Sequence, residues 1–301
     1  MKTKIIKTGL IFILFLGLLF SFWFILKSRR TARAETYLQE KTLLGSLKAS
    51  ILLPHSPQVH LELGRIYFSQ KEYQKAKNEY DKALKLCKNC PESSEIHLEL
   101  KKTAISQAIA AGDIETAKDN LAGGIELNPE DPTIRFYYGV FLSATGDYAE
   151  GFKNLNSVTK SDETESQREI LLSALKKILN LKSSIFNSDN PQNTLLVGTA
   201  FWQMGYDNLA IGQFEKATKI DPEYRDAWIY LGKAYLQQST TNNQQSTEAL
   251  NKAEEALEKA AEIDPVYPET FYLLSQAYEK LKKPDESKQA AKKAVMLGWR
   301  E

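Results

Sequence analysis

The chain has 301 residues, 43% of them hydrophobic and 26% charged, with a formal net charge of +1. That balance excludes a disordered chain and a polytopic membrane protein. The near-zero charge also argues against a nucleic-acid partner, which demands a basic face. The length fits one large domain, two ordinary ones or an array of repeats.

Residues 1–7 form a short basic tail with Lys2, Lys4 and Lys7. Residues 8–26 follow as TGLIFILFLGLLFSFWFIL, nineteen residues without a charge. As a helix this run is about 28 Å long, close to the hydrocarbon thickness of a bilayer. The run is longer than the apolar core of a cleaved leader, and Lys27, Arg29, Arg30 and Arg33 stand where a cleavage site would be. We therefore expect an uncleaved single-pass anchor in the lipid bilayer, with Trp23 and Phe24 at its edge. Basic residues flank it on both sides, so charge does not decide its orientation. The long domain behind the anchor is expected on the extracytoplasmic side. Residues 27–56 are read as a basic juxtamembrane segment and a joining helix over 35–53, with Leu43, Leu44, Leu47 and Ile51 on one face.

Residues 216–235 read KATKIDPEYRDAWIYLGKAY. Trp228, Leu231, Gly232 and Tyr235 fall at i, i+3, i+4 and i+7, one helix face, and Trp228 is expected to be buried between helices. Asp221-Pro222 stops the preceding helix, because a residue before proline is pushed out of the α region. The same order of small and bulky residues recurs. Leu63-Gly64 is followed by Tyr67, Ala76, Tyr80 and Ala83; Tyr138-Gly139 by Leu142, Gly151, Leu155 and Val158; Val197-Gly198 by Phe201, Ala210, Phe214 and Ala217. Leu274-Ser275 is followed by Tyr278, Ser287, Ala291 and Ala294, and a looser copy holds Ala104, Ala108, Ala117, Leu121 and Gly124. The W-x2-L-G-x2-Y pattern resembles the tetratricopeptide repeat, a helix–turn–helix of about 34 residues.

That resemblance implies an all-α fold: a right-handed superhelical solenoid of helix–turn–helix repeats over 57–301, behind an N-terminal transmembrane helix. The repeats are read at 57–90, 98–131, 132–165, 191–224, 225–267 and 268–301. An extra helix is expected within 166–190, from the spacing of Ile170, Leu171, Ala174, Ile178 and Leu179. The polar stretch QQSTTNNQQST, 237–247, is expected to be an exposed loop. Nothing polar follows the last repeat, and Ala290, Ala291, Ala294, Val295, Leu297 and Trp299 are either solvated by Lys292, Lys293 and Arg300 or available for self-association.

The chain offers no recognisable active site, metal site or cofactor site. His55, His60 and His97 have no nucleophile or metal spacing, and His60 occupies the position Trp228 fills, which packing explains. Cys87-Lys-Asn-Cys90 leaves three readings open: small residues ending a helix, a disulfide outside the cytoplasm, or thiol redox or metal chemistry. As a zinc site it supplies only two of the usual four ligands.

What the family resemblance implies is a groove for protein or peptide partners along the first helix of each repeat. Carried over, that geometry places Leu61, Arg65, Phe136, Val140, Leu195, Thr199, Trp202, Ile229, Lys233, Tyr272 and Gln276 in the groove. Arg65 and Lys233 are isolated in sequence and lack the Asn partners of the family's carboxylate clamp, which disfavours a chaperone-tail receptor. The expected function is a membrane-tethered, non-catalytic scaffold of the kind that serves cell-envelope assembly.

Overall fold

Several helices of this chain begin on a proline, at Pro57, Pro132, Pro191, Pro268 and Pro284. The missing N–H is harmless there, since the first turn of a helix leaves its N–H groups unpaired anyway. The computed structural model describes residues 2–87, 90–158, 164–180, 189–241 and 246–300, with the backbone alone at 2–15, 17, 180, 241 and 246. Among these residues are fifteen helices and no strand. They are α1 (Lys2–Gln39), α2 (Leu43–Leu52), α3 (Pro57–Ser69), α4 (Tyr73–Leu86), α5 (Ser93–Ala111), α6 (Ile114–Leu127), α7 (Pro132–Thr145) and α8 (Tyr148–Ser157). Then come α9 (Glu165–Asn180), α10 (Pro191–Gln203), α11 (Asp207–Ile220), α12 (Arg225–Thr241), α13 (Ser246–Ile263), α14 (Pro268–Lys280) and α15 (Pro284–Met296). The chain forms two compact units, 1–104 and 105–301, with the division inside α5.

In the first unit the expected joining helix over 35–53 is two helices. The chain breaks at residues 40–42, where Lys41 takes a φ of 50° and Thr42 caps α2 by accepting a hydrogen bond from the Gly45 N–H at 3.0 Å. The buried face of α2 is also not the leucine stripe but Gly45, Ser46 and Ala49. Beyond it, α3 and α4 pack as a pair in which Gly64 lies directly against the ring of Tyr80. Tyr80 has no exposure and sits among Leu61, Ala76, Ala83, Cys87 and Ile96.

In the second unit consecutive helices pack antiparallel. Gly139 of α7 meets Leu155 of α8, while Ser143, one turn on, meets Gly151. Gly198 meets Phe214 and Gly232 meets Leu257 in the same way. Helix α9 buries Leu171, Ala174, Leu175 and Ile178. Its Arg168 is buried, reaching the Leu155 carbonyl of α8 at 3.3 Å while pairing with Glu165 and Glu169. The expected loop 237–247 is mostly helix: α12 runs on through Thr241 and α13 begins at Ser246, with 242–245 outside the described residues. Long polar side chains continue a helix readily when one face still packs, and Leu236 and Ala249 are buried on either side.

Three local devices recur at fixed repeat positions. The first is the turn between paired helices, which needs a residue in the left-handed region. Gly112, Gly146 and Gly205 fill it with φ of 75°, 104° and 79°, but Lys71 and Lys282 hold the same place at 61° and 60°. The second ties the first helix to the turn before it. The Trp228 indole N–H donates to the Pro222 carbonyl at 2.8 Å, the Arg135 Nε to Pro129 at 2.9 Å, and His60 Nε2 lies 3.1 Å from the Pro54 carbonyl. All three reach back six residues, so Trp, Arg and His are equivalent here as N–H donors. Trp228 is accordingly half-buried rather than enclosed between helices, because its ring edge must reach this turn.

The third device joins successive repeats. The Tyr235 hydroxyl donates to Glu215 Oε1 at 2.6 Å, and that of Tyr278 to Glu258 Oε1 at 2.8 Å, each twenty residues back. Burial first, and the adjacent carboxylate second, push both phenols above their ordinary value of 10.0. A raised folded-state value means the neutral phenol is favoured by folding, so this contribution is intact below pH about 10 and lost as pH rises beyond it. The melting temperature is therefore expected to fall above pH about 10, and to fall less steeply in the double variant Tyr235→Phe, Tyr278→Phe. Identical slopes in melting curves collected across that range would refute this link.

Candidate functional site

Three first helices of the second unit, α10, α12 and α14, present a connected row of half-buried side chains. Trp202 on α10 packs edge-on against Tyr230 on α12, with ring centroids 6.2 Å apart. One turn along α12, the Lys233 ammonium lies 5.1 Å from the centre of the Tyr230 ring. Lys233 then reaches α14 and pairs with Glu269 Oε1 at 2.7 Å. The Trp202 indole N–H is satisfied by Gln237 at 3.1 Å. Behind the row stands Phe214, fully buried and in contact with both aromatic rings. The row is therefore a fixed surface of aromatic faces and one compensated charge pair, suited to an apolar or mixed peptide.

Beside it, α9 and α10 enclose an open cleft of about 370 Å³ lined by Ile170, Lys177, Leu196, Thr199 and Gln203 among others. Thr199 and Trp202 sit at i and i+3 on α10, so cleft and row adjoin along that helix.

This geometry sorts the residues expected in the groove. Trp202, Thr199 and Lys233 belong to the row or the cleft. Tyr272 and Gln276 are half-buried on α14, but one face of Tyr272 is taken by Trp299, stacked at 4.6 Å. Leu61, Phe136, Val140, Leu195 and Ile229 are at most 8% exposed and belong to the core, which corrects their placement in a groove. Leu61, for instance, shares a buried cluster with Ala76, Tyr80 and Ala83 of the second helix of its own pair. Tyr230 and Glu269 were not expected. The i, i+3 spacing of Tyr230 and Lys233 carried a weak signal for the first, whereas Glu269 lies a full repeat away and carried none.

Neither basic candidate is isolated in space. Besides the Lys233–Glu269 pair, Arg65 in the first unit is bound by Glu62 at 2.7 Å and by Glu95, with Glu99 at 3.8 Å. Burial opposes the charge of Arg65, yet these carboxylates raise its pKa above the ordinary value. Each cation is compensated within the chain, which leaves no free pair to grip a terminal carboxylate.

The remaining chemistry-bearing residues have structural roles. Cys87 ends α4 and is joined to Cys90 in a disulfide with the Cα atoms 5.2 Å apart. His60 faces Glu79 at 2.7 Å, and Lys82 and His60 together hold the Glu79 carboxyl below its ordinary value despite its burial. His97 bonds the Ser93 carbonyl within its own helix at 2.7 Å. Among the described residues no three His, Cys, Asp or Glu side chains converge in a way that could hold a metal ion. At the far end, Ala290 and Ala294 are buried, while Val295 and Met296 are 67% and 76% exposed.

Paired helices with small residues at their crossings, stacked so that first helices share a surface, define a helical-repeat interaction scaffold. The sequence comparison agrees: residues 57–90 and 268–297 each match a tetratricopeptide-repeat model, so the chain carries tetratricopeptide repeats there. No curated protein matches it in sequence. Similar solved structures include a crystal structure of MamA, 19% identical over 64% of this chain and 93% of that one, with a TM-score of 0.33. Another, of the MamA protein, is 18% identical over 69% and 93%, with a TM-score of 0.33. A third, MamA from Desulfovibrio magneticus RS-1, is 19% identical over 67% and 94%, with a TM-score of 0.32. Global likeness at that level says nothing about what this chain binds.

Proposed function

We propose that this chain is a membrane-tethered scaffold that holds a protein or peptide partner against the row Trp202–Tyr230–Lys233–Glu269, without catalysis. The observation that carries the binding role is the continuity of that row across three successive first helices, each side chain fixed by the next. The tether rests on α1. Among the described residues no helix is long and apolar enough to cross a membrane, and residues 8–15 and 17 of the expected span lie outside the described side chains. What supports a tether is that Leu16, Leu18, Leu19, Phe20, Phe22, Trp23, Phe24, Ile25 and Leu26 are all exposed on one helix, 43–70% open. A helix apolar on every side needs an apolar surrounding, and among the described residues nothing covers these side chains. The Cys87–Cys90 disulfide supports an extracytoplasmic location, since cytoplasmic reductants keep such pairs open. A role in cell-envelope assembly is consistent with that placement.

A photo-crosslinking residue at Tyr230 in cells is expected to give discrete adducts that disappear in a Trp202→Ala, Lys233→Glu background. The same residue at half-buried Lys259, on a second helix, is expected to give none. Equal adducts from both positions, or none from Tyr230, would remove the proposed surface.

A further inference from the structure

We propose that the outer flank of α15 seats an amphipathic helix of a partner protein, one that carries carboxylates beside an apolar stripe. Lys288, Ala291, Lys292, Val295 and Met296 make up this flank, on one side of the helix, and all are exposed. Its meaning comes from the two preceding repeats, where the same flank is occupied.

Ala217, Ala260 and Ala294 hold one place in three successive second helices, and all are buried. Two residues earlier stand Glu215 of α11 and Glu258 of α13, which accept the hydroxyls of Tyr235 and Tyr278 from the first helix that follows. Six residues before Ala260 stands Glu254, whose carboxylate receives the ammonium of Lys283, the N-cap of α15, at 2.6 Å. The next repeat is therefore seated on this flank, and on α13 the flank is acidic. In α15 the equivalents of Glu254 and Glu258 are Lys288 and Lys292. The seat is kept and its charge is inverted.

Charge selects the occupant. A lysine placed like Lys283 is repelled by Lys288, so the helices that sit on α13 do not fit here, whether from a further repeat of that kind or from a second copy. A helix with Asp or Glu at those two places does fit. Neither Lys288 nor Lys292 has an ion-pair partner among the described residues. Their neighbours are already engaged, Lys283 by Glu254 and Lys293 over the Phe271 ring at 3.9 Å. From 287 to 300 the sequence holds four basic residues and no acidic one.

The apolar part of the flank also departs from the repeat pattern. Two residues beyond the place of Ala294, the other repeats carry Lys85, Glu126, Lys160, Lys219 and Glu262, where α15 carries Met296. Met296 is 76% exposed and Val295 beside it 67%. A charge at that place would solvate an uncovered surface, whereas methionine offers a flexible, polarisable contact that adapts to a partner's side chains. Basic and apolar residues together also suit a lipid surface. The equivalent flanks of α11 and α13 seat helices, however, and that geometry selects a helix.

The full chain in detergent micelles is titrated with a fluorescent, hydrocarbon-stapled helix of leucine, alanine and glutamate, its glutamates at i and i+4 beside a leucine stripe. The same helix with lysine for each glutamate is the control. The acidic helix is expected to bind about tenfold more tightly than the basic one, and to lose about tenfold in the variant Lys288→Glu, Lys292→Glu and at high salt. Met296→Glu, which restores the charge of the other repeats, is expected to weaken it several-fold. These side chains are exposed, and an unchanged melting curve shows that the fold is kept. Equal affinity for the two helices, or binding that survives the double substitution, overturns the proposal. In cells, a photo-crosslinking residue at Met296 is expected to give adducts to an acidic segment of another protein, lost in the same double variant. Adducts to lipid or to a second copy, or no adduct, overturn it as well.

Discussion

Phe214→Ala is expected to lower the stability of the second unit by about 3–5 kcal/mol, the usual range for emptying a large aromatic site in a core. Phe214 has no exposure and occupies the space opened by Gly198, where a Cβ would fall 2.6 Å from its ring. Its centroid lies 6.1 Å from Trp202 and 5.6 Å from Tyr230, so removing it also withdraws the support behind the candidate binding row. Repeat arrays do not always unfold in one step, so hydrogen exchange resolved by segment is the better measurement than a single melting point. Protection should fall in α10, α11 and α12 before it falls elsewhere. A loss below about 0.5 kcal/mol, typical of surface sites, would mean that the pairing of α10 with α11 is wrong.

Gly64→Leu is expected to destabilise the first unit by about 1–3 kcal/mol or more, through overpacking. An ideal Cβ at Gly64 would lie 2.3 Å from the Tyr80 ring, and Tyr80 is enclosed on all sides. Leucine is the better helix former by about 1 kcal/mol, so a purely local argument forecasts the opposite sign. The sign of the change in urea denaturation therefore separates close packing from helix propensity. In the double variant with Tyr80→Ala the two losses should not add, because the cavity left by the ring accepts the leucine. A neutral or stabilising Gly64→Leu would show that α3 and α4 do not approach here as described.

Gly64 and Gly198 were legible in the sequence as the small member of a Leu-Gly or Val-Gly pair, but only as a spacing. What made the repeat readable is that its determinants are local: prolines where helices start, small residues where paired helices cross, and glycine in the left-handed turn. The same locality explains the misses. Lys71 and Lys282 occupy a glycine position, and a lysine announces nothing about left-handed backbone. The stretch 237–247 reads as a loop by composition, yet much of it is helix because buried neighbours on either side draw the polar residues into it.

By itself the sequence determined the repeat, the pairing of helices and the apolar character of residues 8–26, because each follows from residue type at short spacing. Which side chains of the first helices are available to a partner was decided only by the tertiary structure. Phe136 and Val140 became core while Tyr230, unremarked in sequence, joined Trp202 and Lys233 in the half-buried row. The orientation of α2 was decided there too, since Gly45 and Ala49 permit the closer approach and so turn the larger leucines outward. Exposure depends on how neighbouring helices are phased and how near they come, and that is a property of the packed pair rather than of either helix.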